Sequence, residues 1–168
     1  QSKHFCLMAL AKIGGTKNRN ELLKAFNKGN KAIVKPWAAI SLGVLAFEAF
    51  KAAGDGAAMD VTIGETLHRA LKDIKNPETL AAIAVSLGLS KYRDAADDLQ
   101  NMLVRNKHKD ELAGYLAISL ALMSSQRSVD DIRNIVTTST RRPDLLKQAA
   151  IALGKLGDKT VADVLLKI

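Results

Sequence analysis

Aromatic residues and cysteine are scarce in this chain of 168 residues. Phe, Trp and Tyr make up 4% of the sequence, so it offers few of the stacking platforms that single-stranded nucleic acid needs. The one cysteine, Cys6, excludes an internal disulfide framework. Stretches of 18 apolar residues without a charge are also missing, and we therefore expect no membrane span.

The residue patterns of common catalytic and metal sites are missing as well. The three histidines His4, His68 and His108 share no ligand spacing, so we expect no metal site. A glycine-rich phosphate loop ending in Lys-Ser or Lys-Thr is not present. Paired carboxylates or a nucleophile with a nearby base do not stand out. We therefore expect a protein that is not an enzyme, with no catalytic residues and no cofactor.

What the sequence has instead is an internal repeat. A small residue follows an Ala-Leu or Ser-Leu pair at five places, which we call the anchors: Ala11, Gly43, Gly88, Ala121 and Gly154. The anchors are spaced by 32, 45, 33 and 33 residues, and an insertion within residues 46–60 explains the longer spacing. The position three residues before the anchor is always apolar. Such columns, which recur from unit to unit, are the signature of a repeat protein.

Apolar residues within each unit recur at spacings of three and four, which predicts amphipathic helices rather than strands. Each unit then holds two helices, A and B, joined by a polar turn. The turns are predicted at residues 14–20, 90–94, 124–128 and 157–159. Pro77, Asp110 and Pro143 are predicted to open helix A of their units, whereas Pro36 either starts a late helix A or kinks an earlier one. Thr62 with Glu65 predicts a capping box.

The predicted fold is all-α, an α-solenoid of about five antiparallel helix pairs, because stacking neighbours is how such pairs bury their apolar faces. We expect a single domain. The predicted units are about 1–29, 30–76 with the insertion at 46–60, 77–109, 110–142 and 143–168. The last unit ends on apolar residues, which favours a segment of a longer array, or end-to-end contact with another subunit through exposed terminal repeats.

Four stretches carry a resemblance to a known family: "MALAKIGG", "AAISLG", "AVSLGL" and "AAIALGKLGDKTVADVLLKI". They resemble the HEAT-repeat family, especially its short-unit, phycobilisome-lyase-type repeats. The resemblance implies an armadillo-like helical superhelix whose concave face is lined by helix B. It is specific for the fold and says little about function.

Two surfaces are candidates for binding. Residues 12 and 13 positions after the anchors, counted with the insertion removed, would lie on the concave face: Lys24, His68, Arg69, Gln100, Asn101, Arg133 and Asn134. The loops from helix B to the next helix A would form a basic edge: Lys28, Lys31, Lys35, Lys75, Arg105, Lys107, Lys109, Arg141 and Arg142. Bases at helix C-termini also complement the helix dipole, but a net charge of +8 favours an anionic contact in addition.

Three functions are considered, two suggested by these surfaces and one by the resemblance. The first is a scaffold that binds a protein or peptide partner. The alternative is nucleic-acid binding, with the basic edge following the phosphate backbone. A weaker alternative, implied only by the repeat subclass, is a lyase-like or chaperone role toward a tetrapyrrole. Cys6 falls in a predicted core column, and Phe5, Trp37 and Tyr115 share a column that predicts either partly buried packing or a stripe that faces a partner.

Overall fold

The computed structural model describes residues 2–29, 33–54 and 58–166, and all regular secondary structure in them is helical. The all-α prediction is therefore confirmed. The chain divides into two compact units between Tyr92 and Arg93, which we call the N-terminal and C-terminal units. The single-domain arrangement stays a prediction.

The N-terminal unit contains five helices within the described residues. They are α1 (Ser2–Ile13), α2 (Thr16–Lys28), α3 (Val34–Ala53), α4 (Val61–Asp73) and α5 (Pro77–Leu89). The predicted A helices α1, α3 and α5 lie side by side, with α3 between the other two. The B helix α2 packs against α3, and α4 packs against α5. Each of these B helices thus bridges its own A helix and the next one.

Fully buried aliphatic side chains from both helix types form the core of the N-terminal unit. Leu42 and Leu87, each directly before an anchor, are 0% exposed, and so are Leu22 and Leu67 on the facing B helices. Burying a leucine side chain contributes about 1.5–3 kcal/mol. At the α3–α5 crossing, a Cβ added to Gly43 would lie 2.6 Å from the Cα of Ser86. The anchor glycine therefore lets two helix backbones meet directly.

The C-terminal unit repeats this alternation. Its helices are α6 (Ala96–Asn106), α7 (Asp110–Leu122), α8 (Val129–Thr138), α9 (Pro143–Leu156) and the short α10 (Val161–Leu165). The A helices α7 and α9 pack side by side, α6 packs on α7, and α8 packs on α9. A single 3-10 turn precedes α6 and another precedes α8. At the α7–α9 contact, Gly114 leaves room for the side chain of Gln148.

The turns that follow A helices share one backbone conformation. The residue three positions after the anchor has a positive φ at Gly14, Lys91, Ser124 and Gly157. In the last three turns the next residue donates its N–H to the carbonyl of the leucine before the anchor, at 3.0–3.1 Å, which completes a Schellman motif. The turn at Gly14 uses a single bond to the carbonyl of Leu10 instead, at 3.1 Å. The predicted turns are confirmed, although the first is shorter because α2 begins at Thr16.

Helix openings agree with the predictions in all places but one, the capping box at Thr62. The helices α5, α7 and α9 begin at the predicted residues. The helix α3 begins at Val34, so Pro36 lies in its first turn, where an N–H has no helical partner to lose. The capping box at Thr62 is wrong, because Asp60 caps α4 by accepting the N–H of Ile63 at 3.1 Å.

The insertion at residues 46–60 begins as a continuation of helix α3, which runs to Ala53. Residues 55–57 of the insertion lie outside the described residues. Two ion pairs fix its flanks: Glu48 pairs with Lys12, and Asp60 accepts Arg19 Nη2 at 2.8 Å. By length and composition α3 could cross a membrane, but its buried residues pack against α1, α2 and α5 within the unit.

The outer face of α1 departs from the predicted core. Cys6 is exposed, so its assignment to a core column is wrong. Leu7 and Ala11 supply the buried face of α1 instead, and no described helix covers the side that carries Cys6. Phe5 is 76% exposed and Trp37 is 41% exposed, with the His4 ring stacked on Trp37 at 4.8 Å between centroids. Tyr115, in the same column, is half-buried.

Gly43→Ala should destabilise the N-terminal unit, because the new methyl group would press against the backbone of α5. We expect a net loss of about 1–2 kcal/mol, since overpacking costs about 1–3 kcal/mol and the better helix propensity of Ala returns part of it. Urea unfolding followed by circular dichroism measures the change. Gly154→Ala is the matched control: a Cβ there meets nothing within 4 Å, so the variant should be as stable as the parent or more so. Equal effects of both variants would contradict the close approach.

Asp60→Asn tests the ion pair at the insertion. Burial, the largest influence, raises the pKa of Asp60, but the hydrogen bonds from Arg19 and Ile63 together lower it below its usual value. A lowered folded pKa stabilises the protein above the unfolded value of about 3.9, and this contribution is lost as the pH falls through the folded pKa. Asn keeps the capping oxygen, as Asn76 does for α5.

At pH 7 the Asp60→Asn variant should lose about 1–2 kcal/mol relative to the parent, as expected for a charge-assisted hydrogen bond. The difference should shrink below about pH 4, as the parent carboxylate becomes protonated. Urea unfolding at a series of pH values measures both. A difference that stays constant down to pH 2.5 would mean that capping, and not charge, explains the loss.

Candidate functional site

The predicted concave-face residues separate into two groups. Those 13 positions after an anchor are exposed: Lys24, Arg69, Asn101 and Asn134. Those 12 positions after an anchor are half-buried and have contacts within the fold: His68, Gln100 and Arg133. His68 meets the edge of the Tyr92 ring, with 5.8 Å between centroids. The exposed group therefore offers the accessible side chains of this face, with Lys24 paired to Glu21 on its own helix at 3.0 Å.

Gln100 and Arg133 link the B helices of the C-terminal unit. Gln100 Nε2 donates to Asp131 Oδ2 at 2.6 Å, which joins α6 to α8. Arg133 Nε donates to Asp158 Oδ2 at 3.1 Å, at a carboxylate whose side chain is 4% exposed. The hydroxyl of Thr160 and then Arg133 lower the pKa of Asp158. These two predicted binding residues are thus used to hold neighbouring repeats in register.

The basic edge of the N-terminal unit is only partly free. Lys28 and Lys75 are exposed at their loops. Lys35 is half-buried, and its Nζ lies 5.1 Å from the centroid of the Phe26 ring, a cation–π contact. Lys31 lies outside the described residues. Of these four predicted cations, Lys35 is therefore engaged in a contact within the fold.

The basic edge of the C-terminal unit lies at the end of α6 and at two neighbouring loops. Arg105 is exposed in the last turn of α6, and Lys107, Lys109 and Arg141 are exposed in the loops. Arg142 connects the loops: its Nη2 donates to the carbonyl of Lys107 at 2.8 Å, and its Nε donates to Asp110 Oδ1 at 2.8 Å. The hydrogen bond from Arg142 lowers the pKa of Asp110.

A groove with a volume of about 340 Å³ lies beside these loops, between α6 and α8. We call it the C-terminal groove. Its apolar part is formed by Leu103, Val104 and Ile135. Leu103 and Ile135 are buried, whereas Val104 is 49% exposed. The groove therefore has an apolar floor with one accessible aliphatic side chain.

Polar side chains line the rest of the C-terminal groove. Three of them carry nitrogen donors of cationic or ionisable groups: Lys107, His108 and Arg142. Three others carry hydroxyl or amide groups: Asn134, Thr138 and Ser139. Asp131 contributes the one acidic side chain of the lining, and it accepts a hydrogen bond from Gln100. The lining as a whole is suited to an anion next to an apolar group.

Ser139 is the residue of the groove that the fold leaves unsatisfied. It is 0% exposed, and its Oγ has no hydrogen-bond partner among the described residues. A buried hydroxyl without a partner costs about 1–3 kcal/mol. Such a group commonly marks a place where a ligand or water completes the hydrogen bonds.

The groove joins the two surfaces that the sequence suggested separately. It brings Asn134 of the predicted concave face together with Lys107 and Arg142 of the predicted basic edge. Lys109 and Arg141 lie in the same loops and Arg105 lies in the last turn of α6, but none of the three lines the groove. Sequence reasoning missed His108, Thr138 and Ser139. The position of His108 within the basic run "RNKHK" was a usable signal, whereas the two hydroxyl residues carried none.

No candidate metal site is found in the part of the chain that the structure describes. Nowhere in residues 2–29, 33–54 and 58–166 do three His, Cys, Asp or Glu side chains gather in a way that could hold a metal ion. The donors of the C-terminal groove are instead nitrogens and hydroxyls, which suit an anion.

Arg142→Gln should loosen the loop that precedes α7, because it removes the contacts to Asp110 and to the Lys107 carbonyl. We expect faster amide hydrogen exchange over residues 107–113, measured by mass spectrometry, with little change elsewhere. Arg127→Gln is the control, since Arg127 pairs with Asp97 at 3.4 Å and both side chains are largely exposed. Equal exchange in the parent and in Arg142→Gln would show that the loops do not depend on this contact.

Comparison with known proteins adds no identification. Neither the scan against protein-family models nor the search of curated proteins gives a match. What is established about the chain comes from its own sequence and structure: alternating helix pairs, a shared turn, and a groove lined by nitrogen donors.

Proposed function

We propose that this chain is a non-catalytic, HEAT-like module of the α-solenoid type that binds a protein or peptide partner. The alternation of A and B helices in each unit supports the repeat assignment, together with the turn geometry that recurs after A helices. Repeat proteins of this kind use extended rows of side chains as binding surfaces.

The observation that carries this proposal is an exposed polar side chain 13 positions after four of the anchors, counted without the insertion. Lys24 and Arg69 occupy this position in the N-terminal unit, and Asn101 and Asn134 occupy it in the C-terminal unit. At the preceding position, Gln100 and Arg133 are engaged in hydrogen bonds within the fold. Lys24 pairs with Glu21 of its own helix, an exposed contact that contributes little. The B helices of each unit thus present exposed polar side chains, where a peptide backbone finds hydrogen-bond partners.

The C-terminal groove favours a protein over a nucleic acid. A peptide supplies apolar side chains for Val104 and Ile135, whereas a phosphate backbone has nothing to place there. Carboxylates at Asp110 and Asp131 stand beside the cations and would repel a continuous row of phosphates.

Nucleic-acid binding is the second candidate. It is favoured by the exposed cations at the end of α6 and in two loops: Arg105, Lys107, Lys109 and Arg141. These groups are free to neutralise phosphates and release counterions. A tetrapyrrole-lyase or chaperone role stays a weaker alternative, because it depends on the repeat resemblance alone.

Selection from a peptide library displayed on phage tests the protein-binding proposal. We expect a shared motif among the enriched peptides. Substitution of Asn134 or Arg69 by Ala should weaken binding of such a peptide about ten-fold, the effect of losing a significant interface residue. Lys155→Ala, an exposed change on the A helix α9, should leave binding unchanged. A selection without any enriched motif would count against the proposal.

A DNA titration separates the two candidates. A labelled random-sequence duplex is titrated with the chain between about 50 and 200 mM salt, followed by fluorescence polarisation. We expect little binding across this range. Tight binding that weakens steeply with salt would support the nucleic-acid candidate instead, because such a slope reports counterion release from phosphates.

A further inference from the structure

The C-terminal groove has the donor set of a phosphate site. We propose that it binds a phosphorylated serine or threonine side chain of the partner, an inference that rests on the proposed protein-binding function. Lys107, His108 and Arg142 line the groove with nitrogen donors, and Ser139 lines it with a buried hydroxyl. A phosphoryl group carries three strong acceptor oxygens and a charge of about −1.5 to −2 at pH 7.

Arg142 is held in place before any ligand arrives. Its Nε and Nη2 are bonded to Asp110 and to the carbonyl of Lys107, and neither of these contacts uses Nη1. Because the guanidinium is planar and rigid, fixing Nε and Nη2 also fixes the direction in which Nη1 can donate. Its side chain is 30% exposed, which leaves it accessible from the groove. Little rotamer entropy is then lost when an anion binds.

Ser139 supplies an observation independent of the charges. Its Oγ is buried and has no partner among the described residues, although the residue lines the groove. The neighbouring Thr138 hydroxyl is already satisfied, because it donates to the carbonyl of Asn134 at 2.7 Å. Because Ser139 is fully buried, the side chains around it must shift before a phosphate oxygen can accept from its Oγ; this bond then supplies the partner that the fold does not provide.

Charge and shape favour phosphate over the other common anions. A carboxylate offers two acceptor oxygens and one charge, whereas a phosphoryl group offers three oxygens and a larger charge to donors that come from α8 and from two loops. A polynucleotide presents phosphates in a row, whereas this groove combines its donors with an apolar floor. The accessible Val104 suits an aliphatic residue next to the phosphorylated one.

The acidic neighbours of the groove are already engaged within the fold. Asp131 accepts a hydrogen bond from Gln100, and Asp110 is paired with Arg142. The discrimination comes from the cations: Lys107 and Arg142 attract a phosphate of charge about −1.5 to −2, whereas a neutral serine gains nothing from them. Binding at the groove should therefore respond to phosphorylation as a switch.

Fluorescence polarisation with two matched peptide pools tests the inference. One pool carries a central phosphoserine between randomised positions, and the other carries serine in its place. The full chain should bind the phosphorylated pool about ten-fold more tightly, as expected when one to three charge-assisted hydrogen bonds are added. Inorganic phosphate should compete with the phosphorylated pool.

Single substitutions locate the binding to the groove. Lys107→Gln should remove most of the preference for phosphate, and Ser139→Ala should reduce it several-fold without lowering the midpoint of urea unfolding. Lys107 is exposed, so its variant is expected to fold even if Arg142→Gln disturbs the loops. Arg127→Gln removes a surface cation outside the groove and should leave the preference unchanged.

The outcomes separate this inference from the proposed function. Equal binding of both pools overturns the phosphate inference and leaves peptide binding intact. A preference for phosphate that survives both Lys107→Gln and Ser139→Ala overturns the assignment to this groove. Phosphorylated peptides displaced by random-sequence DNA more effectively than by inorganic phosphate would mean that the groove belongs to a nucleic-acid surface.

Discussion

The close approach of neighbouring A helices is the constraint on which the rest of each unit depends. At Gly43 the backbones of α3 and α5 are so near that a methyl group would lie 2.6 Å from the Cα of Ser86. At Gly114 in the C-terminal unit, the side chain of Gln148 occupies the space that a Cβ would take. When A helices touch in this way, the leucines before the last four anchors become fully buried, whereas Leu10 on α1 is half-buried. The amphipathic B helices then have one face to cover and one face left for solvent.

Much of the fold could be predicted because several repeats show the same residue type at corresponding positions, so the assignment does not depend on one short segment. Helix type, the turns and the openings at Pro77, Asp110 and Pro143 follow from columns that several units share. Alignment of the repeats predicts burial wrongly where a repeat has no neighbouring repeat on one side. Cys6 aligns with buried positions, yet it is exposed because no described helix covers that side of α1. The capping box at Thr62 failed for a local reason, since Asp60 both caps α4 and pairs with Arg19.

The candidate site was less predictable, because a sequence shows which residues are charged but not which charges are already used. Lys35 rests on the ring of Phe26, and Arg133 is paired with Asp158. Both were candidates for ligand binding on the same grounds as Lys107, which is exposed. Hydroxyl residues are still harder to assign to a binding site from the sequence. Ser139 follows α8 as an ordinary polar residue, and only its burial without a partner distinguishes it.

The contrast between used and unused polar groups also explains why a groove forms where it does. Along α6 and α8, Gln100 and Arg133 join each B helix to the acidic start of the next. These links lie near the middle of the two helices, and beyond them the helices are held by the buried side chains of Leu103 and Val136. Arg142 closes their C-terminal end through Asp110 and the Lys107 carbonyl, and the space it closes keeps the cations of both loops. The arrangement that satisfies the acidic residues of this unit therefore leaves its remaining donors concentrated at one place, beside an apolar floor.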